Sequence, residues 1–368
     1  MIQIDPALIE NSNLDALAAH PGVKRAAELL RSGQLVAFPT ETVYGLGADA
    51  SDEEAANKIY QAKGRPQDNP LIVHIAKIEQ LENIIEGELN AISRMMIERF
   101  WPGPLTLVCN KSAMIPSGTT AGLDSVAVRM PDHPLARAVI EQAGVPVAAP
   151  SANTSGAPSP TRAEHVLHDL MGRIPLILDG GPTRVGLEST VVDVRSGRLR
   201  ILRPGGVSRE AIGQLLEEEQ YIPDHKRSKF EGDEGGKGSG SAPAGNTQSI
   251  GEAPLAPGMK YRHYSPDTPL RILRDERELQ QLIGHCTTGQ LGFVLTDETY
   301  AAYKDALTDC KVITMGPSIK PEIIAANLFH ILRSLDELSL DAVYIEFVSE
   351  SGIGEAVMNR LYKASRGE

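Results

Sequence analysis

The chain of 368 residues is poor in cysteine, in aromatic side chains and in long apolar runs, and each shortage removes a class of protein. Its three cysteines, Cys109, Cys286 and Cys310, lie far apart without a Cys-x-x-Cys spacing, so neither a disulfide framework nor a cysteine zinc site is expected. No stretch approaches the about 18 to 20 apolar residues that cross a bilayer. Met1 to Asn13 carries acidic residues but no Lys or Arg, so no secretory or transit leader is read there. A reducing cytoplasm is the expected setting. Basic charge is in deficit too. The formal net charge of −12 argues against a general nucleic-acid binder, whose affinity for phosphate backbones comes from clustered Lys and Arg, but leaves a local cationic pocket open. There is no P-loop, no G-x-G-x-x-G opening a helix, no H-E-x-x-H and no G-x-S-x-G elbow.

What is present suits a folded chain, with 41% hydrophobic and 23% charged residues. At about 150 residues per domain the length suggests two. The composition changes after the acidic run Glu217–Glu219. From Glu231 to Gly258 it is dominated by Gly, Ser, Pro and charge, too poor in apolar groups to offset the entropy of ordering, and reads as a linker. Its end, MKYRHYSP (Met259–Pro266), concentrates two tyrosines, a histidine and basic residues, which a plain tether does not need and an active-site lid would use. The division is a domain over 1–218, a linker over 219–266 and a second domain over 267–368.

In the first part, apolar runs at Leu35–Phe38, Leu71–Ile75, Leu105–Cys109, Val126–Val128, Val145–Ala149, Leu176–Leu178, Thr190–Val194 and Leu199–Leu202 read as strands, the last two joined as a hairpin by Arg195–Arg198. Helices are expected at Ser51–Ala62, capped by Ser51 with Glu54, and at Asn90–Phe100, His133–Gln142, Arg162–Met171 and Ser208–Glu218. This mixture implies an α/β domain with a mixed sheet. Beyond the linker, strands at Leu270–Leu273, Leu291–Leu295, Val312–Met315 and Ala342–Phe347 each precede a helical pattern, which favours a doubly wound parallel sheet.

Several segments could carry chemistry, and each has a plainer reading beside it. PTETVYGLG (Pro39–Gly47) offers hydroxyls, a carboxylate and glycines that admit a ligand, or is a strand-to-helix turn. In KGRPQDN (Lys63–Asn69), Lys63 and Arg65 can converge on one polyanion, or merely complement a helix C-terminus. His74, inside the apolar strand LIVHIA, reads more readily as a satisfied core histidine than as a ligand. PSAN (Pro150–Asn153) with Ser155, Gly156 and Ser159, GLEST (Gly186–Thr190) and RPGG (Arg203–Gly206) follow strands, where open α/β sheets bind ligands and where turns also form. Arg129 at a strand end needs a buried anion or a ligand carboxylate. Together Lys63, Arg65, Arg129 and Arg203 argue for a pocket taking an anionic small molecule. Covalent and glycosidase chemistry is disfavoured, because no activated nucleophile or carboxylate pair stands out; phosphate positioning fits better.

In order along about the first 210 residues, FPTETVYGLG, KGRP running into NPLIVHI, WPGPLT, VAVRMPDHP, APSAN, LESTVVD and LRPG resemble the YrdC-like family. PGMKYRHYSP (Pro257–Pro266) resembles the end of the linker in its long, two-domain form. The resemblance implies a YrdC-like mixed twisted sheet with helices, followed by a smaller doubly wound, Rossmann-like domain. It implies a nucleotidyltransferase that joins L-threonine, bicarbonate or carbon dioxide, and ATP into threonylcarbamoyl-AMP and pyrophosphate, with Mg2+ held through the ATP phosphates. A separate transferase complex would then modify tRNAs reading ANN codons. On the same basis Lys63, Arg65, Asn69, Ser125, Ser151, Asn153, Ser159 and Arg203 would surround ATP, Lys63 and Arg65 being catalytic, and Tyr264 would close over the nucleotide. Thr40 or Thr42, His74, Arg129, the backbone at Ala149, and Ser189 would hold threonine, with Arg129 on its carboxylate. An RNA-binding module of the same family is the alternative, weakened by the acidic charge and by only 4% aromatic residues. A hydrogenase-maturation type of carbamoyl transfer lacks its zinc-finger cysteines here.

Overall fold

The computed structural model describes residues 1–219, 221, 254, 264–284 and 290–365. Most of the expected linker, including Met259–His263 of the expected lid, lies outside the described residues, as does Cys286. Ten strands form one mixed sheet: β1 (Ile2–Gln3), β2 (Val36–Pro39), β3 (Tyr44–Asp49), β4 (Ile72–His74), β5 (Leu105–Asn110), β6 (Ser125–Arg129), β7 (Val147–Ala148), β8 (Leu176–Asp179), β9 (Thr190–Asp193) and β10 (Arg200–Arg203). Their spatial order is β1-β8-β2-β3-β7-β4-β6-β5-β9-β10. Four more strands, β11 (Leu270–Leu273), β12 (Leu291–Leu295), β13 (Lys311–Thr314) and β14 (Ala342–Glu346), make an all-parallel sheet in the order β11-β14-β12-β13. Helices alternate with these strands, as a parallel sheet requires. The fold is thus a mixed α/β sheet followed by a smaller parallel α/β domain.

The expected β9–β10 hairpin is present and antiparallel. PTETVYGLG differs from expectation: it is not a strand-to-helix turn but the bend and return strand of a second hairpin, β2–β3. Its glycines hid the strand. A Cβ on Gly47 would sit 2.6 Å from the Phe38 ring and 3.0 Å from Val147, so glycine there marks close packing rather than a break. The next helix, Glu53–Lys63, is capped by Asp52, whose carboxylate accepts from the Glu54 N–H at 2.9 Å; Ser51 instead bonds Asp49. Helices Pro6–Glu10, Leu14–Ala19 and Pro21–Arg31 add to the expected set, and Pro21–Arg31 buries Val23, Ala26, Ala27 and Leu30 against Leu135, Val139 and Ile140 of the helix Pro134–Ala143. Cys310 is disulfide-bonded, which overturns the expectation of unpaired cysteines; spacing along the chain carries no information on proximity in space.

The two domains share a core. The apolar cluster of the C-terminal domain, built around Leu328, Phe329, Ile345 and Leu361, continues through Tyr264 to Val43 and Leu187 of the first domain. Gly186 permits the approach, because its φ of +75° suits glycine and a Cβ would stand 2.4 Å from the Ala326 Cα of the helix Pro321–Ser334. Among the described residues no helix is long and apolar enough to cross a membrane.

Candidate active site

A pocket opens over the middle of the large sheet. Ile72 and His74, two residues apart on β4 and therefore on one face, form its floor with Arg129, which pairs with His74 across to β6. The strand-end reading holds only in part. Because β7 runs antiparallel to β4, its carboxyl end returns to the start of β4, where the Ala149 N–H donates to the Ile72 carbonyl at 2.9 Å. The pocket therefore spans a sheet face and not one row of strand ends. The cavity itself is narrow, about 60 Å3, below the roughly 300 to 1,000 Å3 usual for small-molecule sites, so an occupant of that size has to widen it.

Twelve of the fifteen residues singled out from the sequence line it: Thr42, Lys63, Arg65, His74, Arg129, Ala149, Ser151, Asn153, Ser159, Ser189, Arg203 and Tyr264. The other three, Thr40, Asn69 and Ser125, are buried outside the lining. Thr40 supports it, sharing a 2.7 Å hydroxyl hydrogen bond with Thr42 and donating to the Val43 carbonyl. Asn69 offers its carbonyl to Arg65 Nε at 3.2 Å, and its side-chain Oδ1 is buried without a partner. Ser125 begins β6, opposite Asn110.

Gly64 ends the helix Glu53–Lys63 in the left-handed region, φ +61°, so Lys63 and Arg65 leave the helix axis toward the same cavity. Lys63 Nζ donates to the carbonyls of Ser151 and Asn153 and to Asn153 Oδ1 at 3.3 Å. Burial, then repulsion from Arg65, pushes its ammonium well below the usual lysine range. Arg65 donates to the carbonyls of Asn69 and Pro70 and is pushed down to about 10, chiefly by burial. Among the described residues neither cation has a carboxylate within ion-pair distance. A buried Lys63 beside a half-buried Arg65, with no anion, is costly unless a ligand supplies one.

Arg129 differs. Its Nη2 meets Glu41 at 2.6 Å, without hydrogen-bond alignment, while Nε donates to the Gly103 carbonyl and Nη1 to Thr42 Oγ1. Its anion is thus supplied by the protein, from the loop between β2 and β3. His74 is held down to about 3, first by burial and then by Arg129, and is neutral, bonded through Nδ1 to the Ile72 carbonyl. Cys109 is buried and pushed up to about 12 by that burial, which excludes it as a thiolate nucleophile.

Glu188 was quoted within GLEST but not singled out, and it too lines the pocket. Its Oε1 accepts from Ser159 at 2.6 Å and its Oε2 from Arg360 of the C-terminal domain at 3.0 Å. Burial would raise this carboxyl, but Arg360 and Arg203 hold it down at about 2. No spacing in the sequence could have revealed this contact, since 172 residues separate the partners. Arg203 donates to the Ser189 carbonyl at 2.9 Å, and Ser189 shares a 2.7 Å hydroxyl hydrogen bond with Thr106. Tyr264, the described end of the linker, is buried against the pocket, its ring 5.2 Å from that of Phe329. Among the described residues no group of three His, Cys, Asp or Glu side chains is placed to hold a metal.

Fold and pocket define a two-domain α/β protein with a cation-lined cleft over the face of its large sheet. Residues 28–205 match the model of the Sua5, YciO and YrdC family, described as telomere recombination, and residues 207–366 match the threonylcarbamoyl-AMP synthase C-terminal domain. The threonylcarbamoyl-AMP synthase of Bacillus subtilis is 46% identical over 353 residues, 94% of each chain. That of Pyrococcus abyssi is 46% identical over 349 residues, 93% of this chain and 94% of its own. The crystal structure of P. abyssi Sua5 complexed with L-threonine superposes with a TM-score of 0.78 at 44% identity, covering 93% of this chain and 94% of that one. The chain belongs to the threonylcarbamoyl-AMP synthase family, in its two-domain form.

Proposed function

We infer that the protein is a threonylcarbamoyl-AMP synthase, a nucleotidyltransferase converting L-threonine, bicarbonate or carbon dioxide, and ATP into threonylcarbamoyl-AMP and pyrophosphate. The observation that carries this reading is the pair Lys63, buried, and Arg65, half-buried, which among the described residues have no carboxylate within ion-pair distance and line a pocket shared with Ser151, Asn153 and Ser159. A triphosphate supplies the missing negative charge. In this reading Asn69, Ser125, Arg203 and Tyr264 complete the ATP site, with Asn69 and Ser125 approached only when ligand enters. Threonine lies over β4, its carboxylate on the remaining N–H groups of Arg129 and its other groups near Thr40 or Thr42, His74, the Ala149 backbone and Ser189.

The chemistry follows from this placement. The unprotonated threonine amine adds to carbon dioxide, forming an N–C bond and releasing a proton. The new carboxylate oxygen attacks the α-phosphorus, the α–β bridging P–O bond breaks, and pyrophosphate leaves. Lys63, Arg65 and Arg203 stabilise the charge that develops on the phosphates, and enclosure protects the mixed anhydride from water. Mg2+ accompanies the triphosphate in this scheme. The described residues offer no protein cage for it, so no step is assigned to it.

The domain division at 1–218, 219–266 and 267–368 belongs to the same reading, with catalysis in the first part. So do a cytoplasmic setting, hand-over of the labile product to the tRNA threonylcarbamoyl transferase complex, and a role in tRNA processing. No observation favours the RNA-binding alternative: the net charge is −12 and Lys63, Arg65, Arg129 and Arg203 line a cavity. The reading is tested by pyrophosphate release from ATP and Mg2+ with threonine and bicarbonate omitted in turn. Release that needs both supports it, and release indifferent to threonine overturns it.

A further inference from the structure

We propose that the C-terminal domain is a working part of the catalytic pocket: its Arg333 and Arg360 clamp the two loops that shape the ATP side and so act as positioning residues. The proposal rests on the synthase reading.

Each clamp is a separate observation. Arg360, in the helix Gly354–Ala364, is 0% exposed. Its Nε and Nη2 both donate to Glu188 Oε2 at 3.0 Å, and Nη1 donates to the Pro204 carbonyl at 2.5 Å. One guanidinium thus ties the segment before β9 to the segment after β10. Through Glu188 the tie reaches Ser159, and next to Pro204 stands Arg203. Arg333, in the helix Pro321–Ser334, forks onto Asp169, with Nη1 to Oδ1 at 3.0 Å and Nη2 to Oδ2 at 2.8 Å, while Nη2 also donates to the Pro158 carbonyl at 2.5 Å. Asp169 Oδ2 accepts the Thr154 N–H at 3.1 Å. The loop Thr154–Pro158 is therefore fastened at both ends, and its middle, Ser155, Gly156 and Ala157, lines the pocket.

Neither arginine touches the pocket, so neither contacts substrate. Their effect is on loop geometry. The planar fork fixes direction as well as distance, and a displacement of about 1 Å in a loop that holds a nucleotide is enough to weaken binding by an order of magnitude. Threonine, placed over β4 and the β2–β3 bend, meets the clamped loops only at Ser189, beside Glu188, whereas ATP is held by both of them, so the two substrates should respond unequally.

The test uses the full-length protein with Arg333→Met, Arg360→Met, Asp169→Asn and the double variant Arg333→Met/Asp169→Asn. Folding is checked by circular dichroism, and KM for ATP and for threonine is read from pyrophosphate release. The expected result is a rise in KM for ATP of about tenfold or more in both arginine variants, with KM for threonine within about threefold; Asp169→Asn should copy Arg333→Met, and the double variant should be no worse than either. Should Arg360→Met fail to fold, the variants of half-buried Arg333 and of Asp169 decide alone. Unchanged KM for ATP in folded variants, or an equal rise for both substrates, overturns the proposal. If the wild type releases no pyrophosphate, it is the synthase reading that has failed, and ATP affinity by calorimetry across the same variants still decides the clamp.

Discussion

Lys63 and Arg65 line the pocket with no carboxylate within ion-pair distance among the described residues, and the account depends on them. Replacing Arg65 by Ala removes a stabiliser of the developing phosphate charge and should lower kcat/KM by about 10²- to 10³-fold with little loss of stability, as read by steady-state pyrophosphate release and a thermal melt. Titration of buried groups gives a second expectation. Burial first, reinforced by Arg129 for His74 and by Arg333 for His165, holds these imidazoles down to about 3; burial, with a smaller contribution from Arg184, holds His133 down to about 4. In the unfolded chain they protonate near 6.5, so between that pH and about 3 to 4 the native state binds fewer protons and stability falls as pH drops. Glu188, held at about 2 by Arg360 and Arg203 against burial, adds a loss of the same sign below its ordinary value of 4.5. The melting midpoint should decline steadily from pH 7 to pH 4; a midpoint flat over that range would contradict the burial of these groups.

At the scale of elements, the hairpins and helix ends put residues from eight strands and loops around one cavity. Periodicity made most of this legible. The strands from β4 to β10 and from β11 to β14 fall within a residue or two of their apolar runs, and the helix Ala91–Phe100 is capped by Asn90, whose side chain accepts from the Ser93 N–H. Two kinds of feature were not legible. β3 carries Gly45 and Gly47 where Phe38, Val147 and Ala149 press close, and a glycine needed for packing looks like a turn until its neighbours are known. The approach of Gly186 to Ala326 is likewise invisible along the chain. It yields a paired prediction. Gly172, φ +78°, has nothing within 4 Å of a Cβ, whereas Gly186, φ +75°, would collide with backbone. Both Ala variants should lose about 1 kcal/mol for the left-handed conformation, and Gly186→Ala roughly 1 to 3 kcal/mol more for the clash between domains, as read by chemical denaturation. Equal losses would contradict the close approach.

Across the whole molecule, the ordered motifs of the first domain indicated what the site binds, while the partnership between domains came only from the fold. Lys63, Arg65, Ser151 and Asn153 lie in two short segments whose convergence the strand pattern suggested. Glu188 and Arg360, or Asp169 and Arg333, are 172 and 164 residues apart, and nothing in their local sequence selects one partner over another surface charge. Arg129 shows the same limit: its need for an anion was readable, but that the anion is Glu41 was not. The resulting picture is a large sheet that supplies the floor and cations of the pocket proposed for ATP, and a smaller domain whose helices brace the loops above it. Its central claim is adenylate formation at Lys63 and Arg65. The most direct test supplies carbon-14 bicarbonate with ATP, Mg2+ and threonine to the wild type and to Arg65→Ala, and follows the label by chromatography. The account predicts labelled carbon in a threonine- and ATP-dependent adenylate from the wild type and nearly none from the variant; an unlabelled nucleotide pool in the wild type, or equal labelling by both proteins, would contradict it.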